Sequence, residues 1–511
     1  MNKPRILLAL LAVLGLSADA LAQTTPYVAS GNRGTTLPST VLDVKASYGA
    51  QCNDVADDTN AIQAAVARAI VLGGAVILIP GICRVSTTIQ VNGSNITFLG
   101  VNPYASQIKT TSATAPVLVF GDGTNSYSFN YVQNVGVTAS VSRSAGAGVK
   151  FSKIGVGGYY GGYVANQFTG VEISGGSGLI KLNDLRIVDP TATTGAAVVI
   201  DNAVEAQLSN LAIACNQTYP AYAGVWVKEA SGLRFENVDS VYCGIGLALL
   251  PSSSKTIEHI FSSRSSWDSS GTHGILMQAA SGTTIRRATF VGDWTATSGD
   301  NGVVTTGTGT IDGIEFIGHR SVNNANSGMI FLAGTNIAID GGLFSGNSTA
   351  SSGTKDGILF SGVSAFRVRG VRSGQTNGYS NTQRYGIAID NAASDNYVVT
   401  DSDVRTNATA GMLLASAIGV TRQVARNLGY ITSANGIGSG LTTDGSGDVT
   451  ITHGLAGTPV EVWAQMKGTT AAYILNPHTY GATTFKIRVF DAAGAAVLTT
   501  AIDPIAWKAE Q

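Results

Sequence analysis

Trp267 and Asp268 stand side by side in this chain, and so do Asp293 and Trp294. An exposed indole offers an apolar face and an N–H, which suits the C–H face and hydroxyls of a sugar ring. Two carboxylates at about 5–5.5 Å suit retaining glycoside hydrolysis, and at about 6.5–9.5 Å inverting hydrolysis; one acts as general acid, the other as nucleophile or base. Trp267 lies ten residues after Ile257 and Trp294 nine after Ile285, so stacked repeats would set both at one turn of neighbouring units. The next unit would bring His319 and Arg320, and the one before Trp267 would bring Glu236 and Asp239. The expected site has Asp268 and Asp293 as catalytic carboxylates, with Trp267, Trp294, His319 and Arg320 as substrate contacts. A lyase would need a Lys or Arg base instead, and Arg286, Arg287 and Arg320 keep that chemistry open. There is no nucleophile elbow, phosphate-binding loop or zinc-type His/Cys spacing, so no metal and no cofactor is expected.

These residues meet only if the chain stacks on itself, and the sequence carries such a period. Short apolar runs open on Gly195, Gly224, Gly244, Gly274, Gly302, Gly328, Gly357, Gly386 and Gly411, spaced 29, 20, 30, 28, 26, 29, 29 and 25 residues apart. Each repeat holds runs too short for helices, rich in Val, Ile, Leu and Phe and bordered by turn residues, which argues for strands. One such coil cannot bury its inward side chains, but coils stacked in parallel close a continuous apolar column. The fold expected is all-β: a right-handed parallel β-helix. Asn323, Asn347 and Asn407 fall at matching places after their repeats' second runs, where side-chain amides can bond along a ladder. Tyr159, Tyr160 and Tyr163 would add an edge to a groove or belong to a packed loop.

Only 12% of residues are charged, the net charge is −1, and 63 glycines supply turns. Neither nucleic acid nor an anionic membrane surface is implied as a partner. Residues 1–22 have the layout of a secretory signal, with Lys3 and Arg5, an apolar stretch from Ile6 to Leu16, and Ala20-Leu21-Ala22. No membrane span is expected after its removal; the alternative is a buried anchor in a particle. Residues 23–43 read as an arm, 44–430 as the β-helix, 431–447 as a Gly-rich linker and 448–511 as a small antiparallel β-sandwich. Four cysteines suit an exported protein. Three pairings are possible, and Cys52–Cys83 and Cys215–Cys243 are the pairs expected, the first bracketing one helix–strand unit and the second lying one coil apart. A helix is expected over 59–71, capped by Asp57 or Asp58, with Ile62, Ala65, Val66 and Ala69 facing inward to close the first coil.

The segment YGAQCNDVADDTNAIQAAVARAIVLGGAVILIPGICRVS, from Tyr48 to Ser86, resembles the amino-terminal segment of the pectate-lyase-superfamily β-helix proteins. That family includes polygalacturonases, pectate lyases and phage spikes, so the resemblance implies the fold and coil-borne carboxylates rather than one activity. The polygalacturonase and pectate lyase residue patterns are absent from the coils. ITHGLAGTPVEVWAQ from Ile451 and IAWKA from Ile505 look like the carboxy-terminal domain of phage tail and spike proteins, which implies a homotrimer or receptor binding. The expectation is a carbohydrate-active, tailspike-like β-helix that binds and depolymerises an extracellular polysaccharide as hydrolase or lyase. The alternative is a non-enzymatic glycan-binding adhesin or receptor-binding spike. The protein is expected to be secreted, or else carried on a virion tail.

Overall fold

Most strands are only two to eight residues long, and three longer ones, Thr169–Asn183, Ala196–Ala214 and Ala223–Val241, bend around the corners. None can bury its inward face alone, and together they wind into a right-handed parallel β-helix. The computed structural model describes residues 40–190, 194–217, 222–468 and 472–511. The expected leader, and the arm up to residue 39, lie outside the described residues.

Three parallel sheets form the sides. Sheet A runs from Val41–Asp43 through Thr256–Ser263 and Thr284–Val291 to Arg422–Ala425. Sheet B runs from Asn53–Asp57 through Ser266–Asp268 and Trp294–Ala296 to Arg372–Ser373. Sheet C runs from Ile89–Val91 through Ala147–Ser152 and Ile275–Ala279 to Ala410–Leu414. The β-helix starts slightly before residue 44, because Val41–Asp43 already pairs with Ala75–Ile79. The helix Thr59–Val71 forms as expected, burying Ile62, Ala65, Val66 and Ala69 against the first coils. Asp57 caps it, accepting from the Thr59 amide at 3.0 Å. Asp58 instead holds the Gln51 and Cys52 amides. Both expected disulfides are present, Cys52–Cys83 and Cys215–Cys243.

The recurring glycine has a steric cause. Register aligns Gly224, Gly246, Gly274, Gly302, Gly328, Gly357, Gly386 and Gly411 in one column at the start of sheet C. A Cβ at Gly302 would lie 2.1 Å from Ser321 Oγ and 2.5 Å from the Gly328 carbonyl, so no larger residue fits. Gly195 and Gly244 stand two residues before the column, whose members on those coils are Ala197 and Gly246. The A-to-B corner is one residue in the left-handed region, filled mostly by Asn134, Asp184, Asn210, Asn237 and Asp401 or by glycine, the residues that tolerate it, with Arg264 and Arg426 as exceptions.

Inside, Phe331, Phe360, Phe366 and Tyr397 form a stack over three coils, Phe360 and Phe366 coming from the same coil, with ring centroids 4.8, 3.9 and 4.9 Å apart. Burying each such ring stabilises the fold by about 1.5–3 kcal/mol. The amide ladder exists but is shifted. Asn324 donates to Asn347, Asn347 to Gln383, and Gln383 to Asn407, at 2.8, 2.9 and 3.0 Å. Asn323 takes the positive-φ corner beside it instead.

After Leu428 two antiparallel three-stranded sheets follow, enclosing Val449, Ile451, Phe485, Ile487, Val489, Ile505 and Ala509. The stretch expected as a linker holds a strand, Ser433–Gly438, paired with Ile505–Glu510. Its Gly436 leaves room for the Trp507 ring, which a Cβ there would meet at 2.8 Å. His453 is buried in its turn, accepting from the Leu455 amide at 3.0 Å and facing the Gly481 carbonyl at 3.1 Å. No helix of the described residues is long and apolar enough to cross a membrane.

Candidate functional site

The structure divides the expected constellation between two faces of sheet B. Trp267 pairs with Thr295, while Trp294 pairs with Ser266 and Arg320. A strand alternates its faces every residue, so the offset of ten against nine residues turns one indole inward and the other outward. Trp267 is fully buried, edge-on to Phe235 at 6.0 Å, and cannot form a shared sugar platform with Trp294. Asp293 is inward and fully buried, accepting from Ser262 Oγ at 2.5 Å, the Ser265 amide at 3.0 Å and Trp267 Nε1 at 3.4 Å. Burial pushes its carboxyl up to about 6 against those bonds. His319 is also interior, 3.1 Å from Thr295 Oγ1, and burial lowers it to about 3, so its imidazole is neutral. These three reach no surface ligand directly.

Asp268, Trp294 and Arg320 do share the outer face of sheet B, and Asp239 joins them through Ser266. The Asp239 carboxyl is raised by burial, an effect opposed by its Ser266 bond and reinforced by the Asp268 charge. Tyr159, of the Gly-rich stretch, is buried and donates to the Val135 carbonyl, whereas Tyr163 lies at the surface against Tyr104.

A second constellation lies on the outer face of sheet C. Two residues past the glycine column, register aligns Lys150, Glu172, Val199, Trp226, Ala248, Leu276, Val304 and Ile330. The row is charged at its start, aromatic at Trp226 and aliphatic thereafter. A bulge after Ile200 shifts the pairing so that Asp201 lies opposite Glu229. Lys150 pairs with Glu172 at 2.8 Å and Lys228 with Asp201 at 3.6 Å. Lys228 Nζ also sits 4.3 Å from the Trp226 ring centre, and Tyr222 packs on that ring at 5.0 Å.

Glu172, Asp201, Lys228, Trp226, Phe168 and Thr194 line a cavity of about 190 Å³. A neighbouring cavity of about 390 Å³ lies over Gln90, Val119, Asp122, Lys150 and Ser152. Lys150 lines the second and its ion-pair partner Glu172 the first, so the two cavities follow one another along the helix axis across six coils, roughly 24 Å at ~4.8 Å per coil. Glu172 and Asp201 remain a quarter and nearly half exposed, at 25% and 44%. They sit on successive coils, with Asp201 two residues beyond Val199, the register partner of Glu172. A carboxylate pair beside an indole can hold a sugar ring and reach its glycosidic oxygen. The only metal-like cluster among the described residues, Cys52, Asp58 and Cys83, has its sulfurs committed to a disulfide.

The period of the glycine phrases does not by itself reveal the sheet C constellation. GVWVK from Gly224 carries its signal: Trp and Lys two and four residues past a glycine whose neighbours there are mostly aliphatic.

No family model and no curated protein matches the sequence. Solved structures do match the fold. The A-module of mannuronan C-5 epimerase AlgE4 from Azotobacter vinelandii aligns over 76% of this chain and 100% of its own, with TM-score 0.51 and 14% identity. Tailspike protein 3 of bacteriophage CBA120 aligns over 76% and 61%, with TM-score 0.53 and 11% identity. The catalytic unit of a GH87 α-1,3-glucanase from Streptomyces thermodiastaticus aligns over 72% and 69%, with TM-score 0.50 and 17% identity. This chain shares with them the right-handed parallel β-helix.

Proposed function

We propose that the protein binds an extracellular polysaccharide along the outer face of sheet C and cleaves it between Glu172 and Asp201. The observation that carries the reading is the cavity these carboxylates share with Trp226. A glycan laid along the groove presents successive sugars to successive coils. Trp226 stacks on one ring once Lys228 swings aside, and the carboxylates flank the adjoining linkage. In the hydrolytic form one carboxyl protonates the leaving oxygen while the other attacks the anomeric carbon or activates water. In the eliminative form Lys228 or Lys150 removes the proton next to a uronate carboxylate and a carboxyl group protonates the leaving oxygen. The protein is proposed to act outside the cell or on a virion tail, as a homotrimer. The named activities of the three neighbours, a mannuronan epimerase, a tailspike and a glucanase, accord with a glycan ligand.

A second location is favoured by one observation, the outward row on sheet B in which register lines up Asp239, Ser266, Trp294 and Arg320 with Asp268 on the same face. There Asp268 keeps the catalytic role and Trp294 and Arg320 the substrate role, while Asp293, His319 and Trp267 position them from inside. Incubation with acidic and neutral polysaccharides, reading reducing ends and the absorbance of unsaturated products, separates the readings. Reducing ends alone indicate hydrolysis, and both signals indicate a lyase. Retention on a polysaccharide without either product indicates the adhesin.

A further inference from the structure

The small sheet built from Ser433–Gly438, Ile505–Glu510 and Glu461–Met466 has one face in the C-terminal core and one in solvent. Its nine outward residues form a three-by-three grid. Register places Ser433, Glu510 and Glu461 in one row, Asn435, Lys508 and Trp463 in the next, and Ile437, Ala506 and Gln465 in the last. Trp463 is 66% exposed. Its neighbours on the grid are Lys508 across the strands and Glu461 and Gln465 along its own strand. Lys508 is itself tethered by an ion pair to Glu510.

A contact between copies of this chain would want a dry, apolar patch, since the centres of protein interfaces are depleted of charge. Here Trp463 and Ile437 are the only large apolar members of the grid, and charged or amide side chains ring the indole. That pattern fits a pyranose: the ring's C–H face on the indole, its hydroxyls to the Lys508 ammonium, the Gln465 amide and the Glu461 carboxylate. We propose that this face is a second, non-catalytic carbohydrate-binding site centred on Trp463. It adds a hold on the glycan away from the groove of sheet C, and it stands whether or not that groove is catalytic.

The test uses the full chain carrying Glu172→Gln, so that no oligosaccharide is cut through that carboxylate, with cellohexaose, chitohexaose and hexagalacturonate as probes. Hydroxyl-radical footprinting reads the Trp463 ring, and titration calorimetry reads affinity. The expected result is that at least one hexasaccharide shields Trp463. Trp463→Ala should weaken that sugar's binding roughly ten-fold, and Trp463→Phe, which keeps a stacking ring, by less. An unchanged melting temperature in both variants shows that the loss is local. The proposal is overturned if none of the three sugars alters Trp463 labelling. It is equally overturned if Trp463 is already shielded without sugar in an oligomer that Trp463→Ala dissociates, because the face then belongs to a second copy.

Discussion

Sheets A and C bury similar inward columns yet turn different outer faces to solvent. On sheet A neighbouring coils are joined by Arg286–Glu258, Arg367–Asp340 and Arg422–Asp395 pairs at 2.7, 2.5 and 3.1 Å, with Phe261 46% exposed on the same sheet. On sheet C the outer row is Val199, Trp226, Ala248, Leu276, Val304 and Ile330, and Leu276 and Val304 are only 8% and 6% exposed. Exposed ion pairs contribute about 0–1 kcal/mol each, so the ladder on sheet A keeps that face wet and adds little else. The sheet C face encloses space, and its charged start is where the carboxylates gather. A parallel β-helix thus offers several outer faces of like geometry, and side-chain choice at one register position decides whether a face is wet and charged or encloses space.

The contrast breaks most sharply at the carboxylates. Glu172→Gln and Asp201→Asn should each lower the rate of product formation by about 10²–10⁴-fold, the usual worth of acid–base groups, while Glu258→Gln on sheet A leaves it unchanged. Steady-state assays on the same polysaccharide check both. Next in size is the interior: Phe331→Ala should destabilise the chain by about 3–5 kcal/mol, seen as a lower denaturant midpoint.

Asp293 supplies a pH test. Its carboxyl is pushed up from an ordinary 3.8 to about 6, so the folded chain holds that proton more tightly than the unfolded chain does. This contribution to stability is complete below pH ~4, declines as pH rises through about 6, and is flat above. Asp293→Asn should remove that slope from the melting temperature measured between pH 4 and 7. A slope that persists in the variant assigns it to other groups. A smaller effect is expected at the aromatic wall, where Trp226→Ala should raise KM about 2–10-fold, as stacking of ~0.5–1.5 kcal/mol implies. Arg286→Ala should be smallest, within ~1 kcal/mol in thermal unfolding.

The fold was legible because its cause is periodic. Gly274 and Gly302 recur since the inner side chains of sheet B press on that corner, and any reader of spacing finds them. The helix Thr59–Val71 and both disulfides were legible for similar local reasons. The site was harder, because facing depends on parity. Counting from Ile257 and Ile285 places Trp267 and Trp294 on neighbouring coils, but both stand in sheet B strands rather than at a turn, and the one-residue difference turns Trp267 inside and leaves Trp294 outside. Asn323 and Asn324 show the same one-residue error in the amide ladder. The strand Ser433–Gly438 was hidden by its glycines, whose reason is the bulk of Trp507 across the sheet.

A crystal structure of the Glu172→Gln protein soaked with an oligosaccharide of its cleaved polysaccharide is the most direct trial. The account places a sugar ring against Trp226 with the next linkage between residue 172 and Asp201. Density for the glycan over Trp294 and Asp268 on sheet B, with the sheet C groove empty, would contradict it.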